Sequence, residues 1–241
     1  MNAEGRNAVA EAIRSDKTVD RVIVENGLRD EQSRALLAEI KESGVKFSFA
    51  DKAVLDKMSS TKKHQGFIAV LSEFTYSELE DIIADCKKTG RPVVVLDGVE
   101  DPHNLGSIIR VCECGGVSGI VIGKHRQAPV SDTVLRISEG SAAHVKIAKV
   151  TNVNNAIKTI KAENIFVFSL ELGGEDIYKT DLTGAVAIVV GGEDTGVNAL
   201  TKKLSDGVVT IPMCGKINSL NASVAAGIAV FEALRQRRNK L

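Results

Sequence analysis

The chain has 241 residues, with 31 basic side chains against 31 acidic ones, 44% hydrophobic residues and 26% charged. This is ordinary globular composition, and it excludes a disordered chain, a collagen-like fibre and a disulfide scaffold. A net charge of zero gives no global sign of a nucleic-acid partner, so any such site must lie in local patches.

Taken in chain order, helix and strand alternate from end to end. Arg6 to Arg14 reads as a helix, Val19 to Val24 as a strand and Glu31 to Ser43 as an amphipathic helix with Leu36, Leu37 and Ile40 on one face. A short strand Val45 to Phe49, a helix Lys52 to Met58 and a buried strand Phe67 to Leu71 complete a small α/β unit. A boundary is placed near Phe74, giving domains 1–73 and 74–241. Beyond it come a helix Glu78 to Lys88 and the apolar strand Val93 to Leu96. A helix from about Leu105 to Cys114, a strand Ile120 to Ile122 and a helix around Thr133 to Ile137 follow. The pattern ends with strand Val145 to Ala148, helix Val153 to Ala162, strands Phe166 to Leu170, Ala185 to Val190 and Gly207 to Ile211, and a last helix from Leu220 to Arg238. Such alternation predicts a parallel sheet covered by helices on both faces.

Three segments place glycine or small polar residues where a buried strand ends, which is where open parallel sheets bind ligands. The first runs from Leu96 through Asp97, Asp101, Pro102 and Asn104 to Arg110. Asn104 is a good candidate for the helix N-cap. Arg110, six residues on, could reach back to the helix N-terminus. Taken alone, this segment reads better as an ordinary capped helix with a surface arginine. The second, Gly191-Gly192-Glu193-Asp194-Thr195-Gly196, allows close approach of a ligand or another backbone after a strand. In the third, Ile211 to Ser223, a strand ends at Pro212, Ser219 is expected to cap the last helix, and Ser219, Asn221 and Ser223 supply polar groups to its first turn. Leu220, Val224, Ile228, Phe231 and Leu234 form an apolar stripe on that helix, and Ala222, Ala225, Ala226 and Ala229 would let another helix approach closely. Together the segments suggest a cofactor cleft made mostly of backbone.

Other classes are set aside on pattern. Neither a Walker A loop nor a GxGxxG fingerprint occurs, which weakens ATP, GTP and dinucleotide-dependent oxidoreductase readings. Cys86, Cys112, Cys114 and Cys214 form no C-x-x-C pair and no Cys/His set has zinc spacing, so reduced thiols and no metal are expected. Cys112 and Cys114, two apart on a helix, should face different ways. The longest nearly apolar run, Ala222 to Phe231, is too short to cross a bilayer. The first residues carry charges and no apolar h-region, so the expectation is a cytoplasmic protein without a membrane partner.

The three segments together resemble the SpoU (TrmH-like) family of RNA ribose methyltransferases. DPHNLGSIIR is similar to its first motif through Asp101, Pro102, Asn104, Gly106, Ile108 and Arg110. GGEDTG is similar to the second through Gly192, Glu193 and Gly196. IPMCGKINSLNAS is similar to the third through Ile211, Pro212, Met213, Gly215, Ser219, Leu220, Asn221 and Ser223, with Ala222 where valine is usual. EGRNAVAEAI near the start and HQGFIAVL from His64 resemble the family's RNA substrate-binding domain, itself like a small ribosomal protein.

The resemblance implies a deep trefoil knot in the C-terminal α/β domain, S-adenosylmethionine as cofactor, and a homodimer. It implies methyl transfer to a ribose 2′-hydroxyl of RNA, in the branch that modifies a guanosine of 23S rRNA. A tRNA ribose methyltransferase, a resistance enzyme acting at another rRNA site and a non-catalytic RNA-binding protein are the alternatives. Gly191, Gly192, Gly196, Ile211, Met213, Ser219, Leu220 and Asn221 are the implied cofactor residues. Arg110, Asn104, Glu193 and Ser223 are the implied catalytic ones, with Glu193 orienting Arg110 or Asn104. Because a guanidinium is not deprotonated in ordinary surroundings, Arg110 is expected to bind phosphate or hydroxyl and stabilise developing charge rather than act as a free base. Lys124–His125–Arg126, Lys62–Lys63–His64 and the tail Arg235, Arg237, Arg238 and Lys240 are candidate RNA contacts, and solvated surface charge explains each equally well.

Overall fold

The structure, a computed structural model, describes residues 2–15, 19–71, 74–216 and 219–238. Its contacts divide the chain into two compact units, Met1–Thr75 with Pro129–Asp132, and Tyr76–Ala128 with Thr133–Leu241.

The first unit holds β1 (Asn2–Glu4), α1 (Arg6–Arg14), β2 (Val19–Glu25), α2 (Glu31–Glu42), β3 (Phe47–Ala50), α3 (Lys52–Met58) and β4 (Phe67–Leu71). Its sheet runs β1-β4-β2-β3, with β4 antiparallel to both neighbours and β2 parallel to β3. Strand side chains alternate in direction. Val22, Val24, Phe67 and Ala69 therefore pack with Val9, Leu36 and Ile40 on the α1/α2 face, while Ile23 and Ile68 meet Leu55 of α3. β3 begins two residues later than the alternation suggests, and β1 has no sequence signal at all. Three residues with no apolar run become a strand only because β4 offers an edge.

β1 also ties down the turn after α3. The Glu4 carboxylate accepts from the Ser59 hydroxyl at 2.6 Å, the Thr61 hydroxyl at 2.6 Å and the Ser60 N–H at 2.8 Å. These donors hold its pKa down at about 2.

The second unit contains α4 (Leu79–Thr89), β5 (Val93–Asp97), α5 (Pro102–Gly115), β6 (Gly119–Gly123) and α6 (Asp132–Ile137). A 3-10 turn (Ser141–Ala143), β7 (Ile147–Val150), α7 (Val153–Ala162), β8 (Phe166–Asp176), β9 (Val186–Gly191), α8 (Ala199–Leu204), β10 (Gly207–Thr210) and α9 (Ala222–Arg238) follow. The sheet is wholly parallel, in the order β10-β8-β9-β5-β6-β7. Its strands are near-continuous Val/Ile runs because both faces are covered. Val93, Val95, Val121, Val167 and Val189 pack with Ile82 and Ile83 of α4 and Ile157 and Ile160 of α7. The alternate residues Val94, Leu96, Ile120, Ile122 and Ile188 are equally buried and serve the opposite face, where α5 meets β6 and α9 meets β9.

The small residues of α9 do admit a close helix, but that helix is α5 of the same chain. A Cβ on Gly115 would come within 2.2 Å of Val230. Ala222, Ala226, Ala229 and Ala233 are buried, and the larger stripe turns outward, leaving Leu220, Val224 and Phe231 36%, 49% and 47% exposed. Cys112 is buried and Cys114 exposed, as their spacing requires, and burial pushes the Cys86 thiol up to about 11.

Replacing Glu4 by Gln removes an acceptor whose depressed pKa stabilises the folded state above the ordinary carboxylate pKa. That contribution is lost as pH falls from about 4.5 towards about 2. Urea denaturation should place the Glu4→Gln midpoint below that of the unsubstituted chain at pH 7, with the gap narrowing on acidification through that window.

Candidate active site

Each candidate segment leaves the carboxyl end of a parallel strand. β5 passes into a loop in which Gly98 has φ 87°, and α5 then starts at Pro102 with Asp101 as N-cap, its carboxylate accepting from the His103 N–H at 3.0 Å. The expected cap, Asn104, is instead a buried residue of the first turn, 6% exposed. The signal was in the sequence: Asp-Pro is a cap followed by the one residue that loses nothing at the first helical position. The earlier start puts Arg110 eight residues beyond Pro102, about 12 Å along the axis, too far to curl back to the helix N-terminus.

β9 ends at Gly191, and Gly192 follows it. A Cβ on Gly191 would lie 2.1 Å from the Gly196 carbonyl carbon, and one on Gly192 would lie 2.1 Å from the Gly98 oxygen. Only glycine permits these main-chain contacts, and the Gly192 N–H donates to the Asp97 carbonyl at 3.1 Å, tying the end of β9 to that of β5. Gly196, at φ 62°, turns the loop back so that Asn198 N–H reaches the Asp97 carboxylate at 2.9 Å.

The third segment enters α9 through Asn221. Its side-chain oxygen accepts from the Ser223 N–H at 2.9 Å and hydroxyl at 2.6 Å, so Asn221 caps the helix and Ser219, the expected cap, does not. The same side chain donates to Asn104 Oδ1 at 2.8 Å and to Glu193 Oε1 at 2.5 Å. One amide thus joins all three segments, with Asn104, Glu193 and Ser223 around it. Glu193 bears on Asn104 through Asn221 rather than directly.

Beside this junction lies a cleft of about 660 Å3, part of it open to solvent. Gly191, Gly192, Glu193 and Gly196 form one side, Ile211, Met213, Ser219 and Leu220 another. Asn221 stands at its edge rather than in its lining. Leu170, Glu171, Leu172 and Thr210 complete the wall and were missed by pattern reading. Leu170, Glu171 and Leu172 belong to a stretch of β8 that leaves the ladder with β10, and Thr210 is the last residue of β10. The register with β10 jumps from Ser169 to Glu175, and Thr210 pins the excursion by accepting from Gly174 N–H at 2.7 Å and donating to the Glu171 carbonyl at 2.6 Å. The rule that ligands sit beyond strand ends was the available pointer to Glu171.

Arg110 is not part of this junction. Its guanidinium pairs with Glu139 at 2.9 Å, the two side chains being 52% and 64% exposed. Gly106 makes this possible, since a Cβ there would come within 2.6 Å of Ile137 at the end of α6. Nothing in the sequence marks Glu139, which lies in a turn at φ 47°.

The outlying basic candidates fare unevenly. His64 is 3% exposed, accepts from the Gly66 N–H at 3.0 Å and sits 3.1 Å from Asp56, so it holds a turn and cannot meet phosphate. Arg235 pairs with Glu232 at 2.8 Å and Arg237 donates to the Thr89 carbonyl at 2.7 Å. Lys240 lies outside the described residues. Among the described residues, no helix is long and apolar enough to cross a membrane.

Comparison with known proteins gives concordant matches. The model of the SpoU rRNA methylase family matches residues 91–231, and that of the RNA 2′-O ribose methyltransferase substrate-binding domain matches residues 3–77. A putative TrmH family tRNA/rRNA methyltransferase of Staphylococcus haemolyticus is 37% identical over 237 residues, covering 97% of this chain and 94% of that protein. Another such protein, of Bacillus subtilis, is 35% identical over 236 residues, covering 97% and 94%. The crystal structure of the SpoU methyltransferase AviRb from Streptomyces viridochromogenes shares the fold at a TM-score of 0.64, with 23% identity over 100% of this chain and 90% of that one. That of an rRNA methyltransferase from Sinorhizobium meliloti gives 0.62, with 27% identity over 100% and 87%.

Truncating the joining amide should be costly. Asn221→Ala removes the α9 cap and leaves the buried Asn104 oxygen without its donor, an expected loss of about 1–3 kcal/mol in urea denaturation. Asn221→Asp keeps the cap but sets a carboxylate against Glu193, so it should also destabilise, and less at a pH where the acids are protonated.

Proposed function

The chain belongs to the SpoU rRNA methylase family, and we propose that it transfers a methyl group from S-adenosylmethionine to a ribose 2′-hydroxyl of RNA, at a guanosine of 23S rRNA. The observation that carries this reading is the junction of the three motif segments at Asn221, on the edge of a cleft at the carboxyl ends of β8, β9 and β10.

The cleft suits the cofactor. Gly191, Gly192 and Gly196 expose main chain where any Cβ would intrude, and Ile211, Met213 and Leu220 offer apolar surface to a nucleoside. Glu171 and Glu193 supply negative charge beside a cationic ligand. When bound, S-adenosylmethionine brings a methyl group on a positively charged sulfur, so the leaving group needs no activation.

What remains for the protein is to orient the hydroxyl and manage its proton. Asn104, held by Asn221, is a positioning group for the substrate, and Ser223 supports it through the same amide. Arg110 arrives charged and paired with Glu139. An exposed ion pair is worth about 0–1 kcal/mol, so an RNA phosphate can replace Glu139 at little cost. Arg110 then stabilises negative charge developing on the 2′-oxygen as the methyl group leaves the sulfonium, and the hydroxyl proton passes to the RNA phosphate or to solvent water. The N-terminal unit, residues 1–73, is the RNA substrate-binding domain in this reading, with residues 74–241 as the methyltransferase domain. The uncovered stripe of Leu220, Val224 and Phe231 supports a homodimer. In this reading the methyltransferase domain carries the deep trefoil knot that the family resemblance implies.

Two outcomes test the proposal. Arg110→Ala should reduce methyl transfer by about a hundredfold or more while calorimetry shows unchanged S-adenosylmethionine binding, because Arg110 does not line the cleft. Near-normal turnover in that variant removes Arg110 from the mechanism. Mass-spectrometric mapping of ribose methylation in cells lacking this protein should show one 23S rRNA guanosine unmodified. Loss of a tRNA methylation instead would move the substrate to tRNA and leave the chemistry intact.

A further inference from the structure

A second, larger hollow opens on the same sheet edge, over the ends of β5, β6 and β7, with about 1420 Å3 of space, part of it open to solvent. Gly196 lines both hollows, so the loop that bears it is their shared wall. The two differ in sign. The first carries Glu171 and Glu193 and no basic side chain. The second carries Lys124, His125, Arg126 and Lys202 against Asp97 and Glu100. Of these acids, Asp97 is already engaged by the Asn198 N–H, and Lys202 leans 3.7 Å towards Glu171.

Arg126 stands apart. It is exposed, and among the described residues it has no ion pair or hydrogen-bond partner. Its backbone sits at φ 50°, in the left-handed region where glycine would be at ease. Strained non-glycine residues of this kind concentrate at ligand sites. The strain here presents a charged side chain at the rim of a polar hollow one loop away from the cleft.

We propose that this hollow receives a phosphodiester of the substrate RNA adjoining the methylated nucleotide, with Arg126 as its principal cation. The inference rests on the RNA methyltransferase reading above and adds to it where the strand runs: across the 192–197 loop, with the target ribose on the cofactor side and the neighbouring phosphate on the basic side. It also accounts for RNA binding by a chain whose total charge is zero.

The test uses the full chain, total RNA from cells lacking the protein, and a series of KCl concentrations. Arg126→Gly relieves the backbone strain while removing the charge, so it should fold. It should raise the KM for RNA roughly tenfold near 0.1 M salt and flatten the dependence of log KM on log salt by about 0.7–0.9. It should leave kcat and the calorimetric affinity for S-adenosylmethionine unchanged, and Arg126→Lys should recover most of the salt slope. A KM and slope within twofold of the unsubstituted chain would overturn the proposal. If the unsubstituted chain transfers no methyl group, the methyltransferase reading fails separately. Filter binding of the same RNA then decides for the hollow: a flatter salt dependence for Arg126→Gly supports it, and an equal one overturns it.

Discussion

The site depends on main chain passing within a Cβ radius of main chain. At the end of β9, Gly191 lies against Gly196 and Val197, and Gly192 lies against Gly98 of the β5 loop. No side chain can be accommodated at either place without moving backbone, which is far stiffer than a rotamer. The hydrogen bond from Gly192 to Asp97 then fixes the spacing of the two strand ends. One consequence is a loop held at both ends that serves as a wall for two hollows. Another is a cleft in which the peptide groups of Gly191, Gly192 and Gly196 are already in position, so ordering them upon binding costs little.

Against this rigid frame the polar side chains divide into two kinds. Asn221 uses both amide hydrogens and its oxygen at once, and its partner Asn104 is nearly out of solvent. Breaking such a set leaves a buried acceptor unpaired, which costs about 1–3 kcal/mol. The Arg110–Glu139 pair is open to water and screened by salt, and its rupture costs about 1 kcal/mol or less. The geometry therefore separates a fixed part from an exchangeable one. An arginine with the role proposed for Arg110, engaging an incoming anion, is better held by a weak, solvated partner than by a strong buried one.

The same distinction explains what the sequence could and could not disclose. β5, β6 and β9 are legible because burial on both faces demands uninterrupted apolar residues, and α1, α3 and α7 match their expected bounds to the residue. The elements that were missed are those whose stability comes from elsewhere in the chain. β1 is three residues completing an edge, α8 is six residues capped by Asn198, and the latter part of β8 is held out of register by Thr210. The site divides in the same way. The glycines and Asn221 sit in local patterns with recognisable chemistry, whereas Glu139 reaches Arg110 only because Gly106 lets α5 approach the end of α6. No spacing within a single segment encodes a contact of that kind.

Net charge fails for a related reason. Electrostatic influence in water at physiological salt extends about 8 Å, so a ligand at the sheet edge senses the few groups around it and not the sum over the chain. Two hollows sharing the Gly196 loop carry opposite signs within one unit, a local difference that the total over the chain does not register. A uniformly basic surface would attract RNA more strongly, but it would also place cations around a cleft meant for a cationic ligand. Placing a purely acidic lining on one side of a thin glycine-bearing loop and an excess of bases on the other would let a positive donor and a negative acceptor strand approach the same strand ends, as proposed above, with less mutual repulsion.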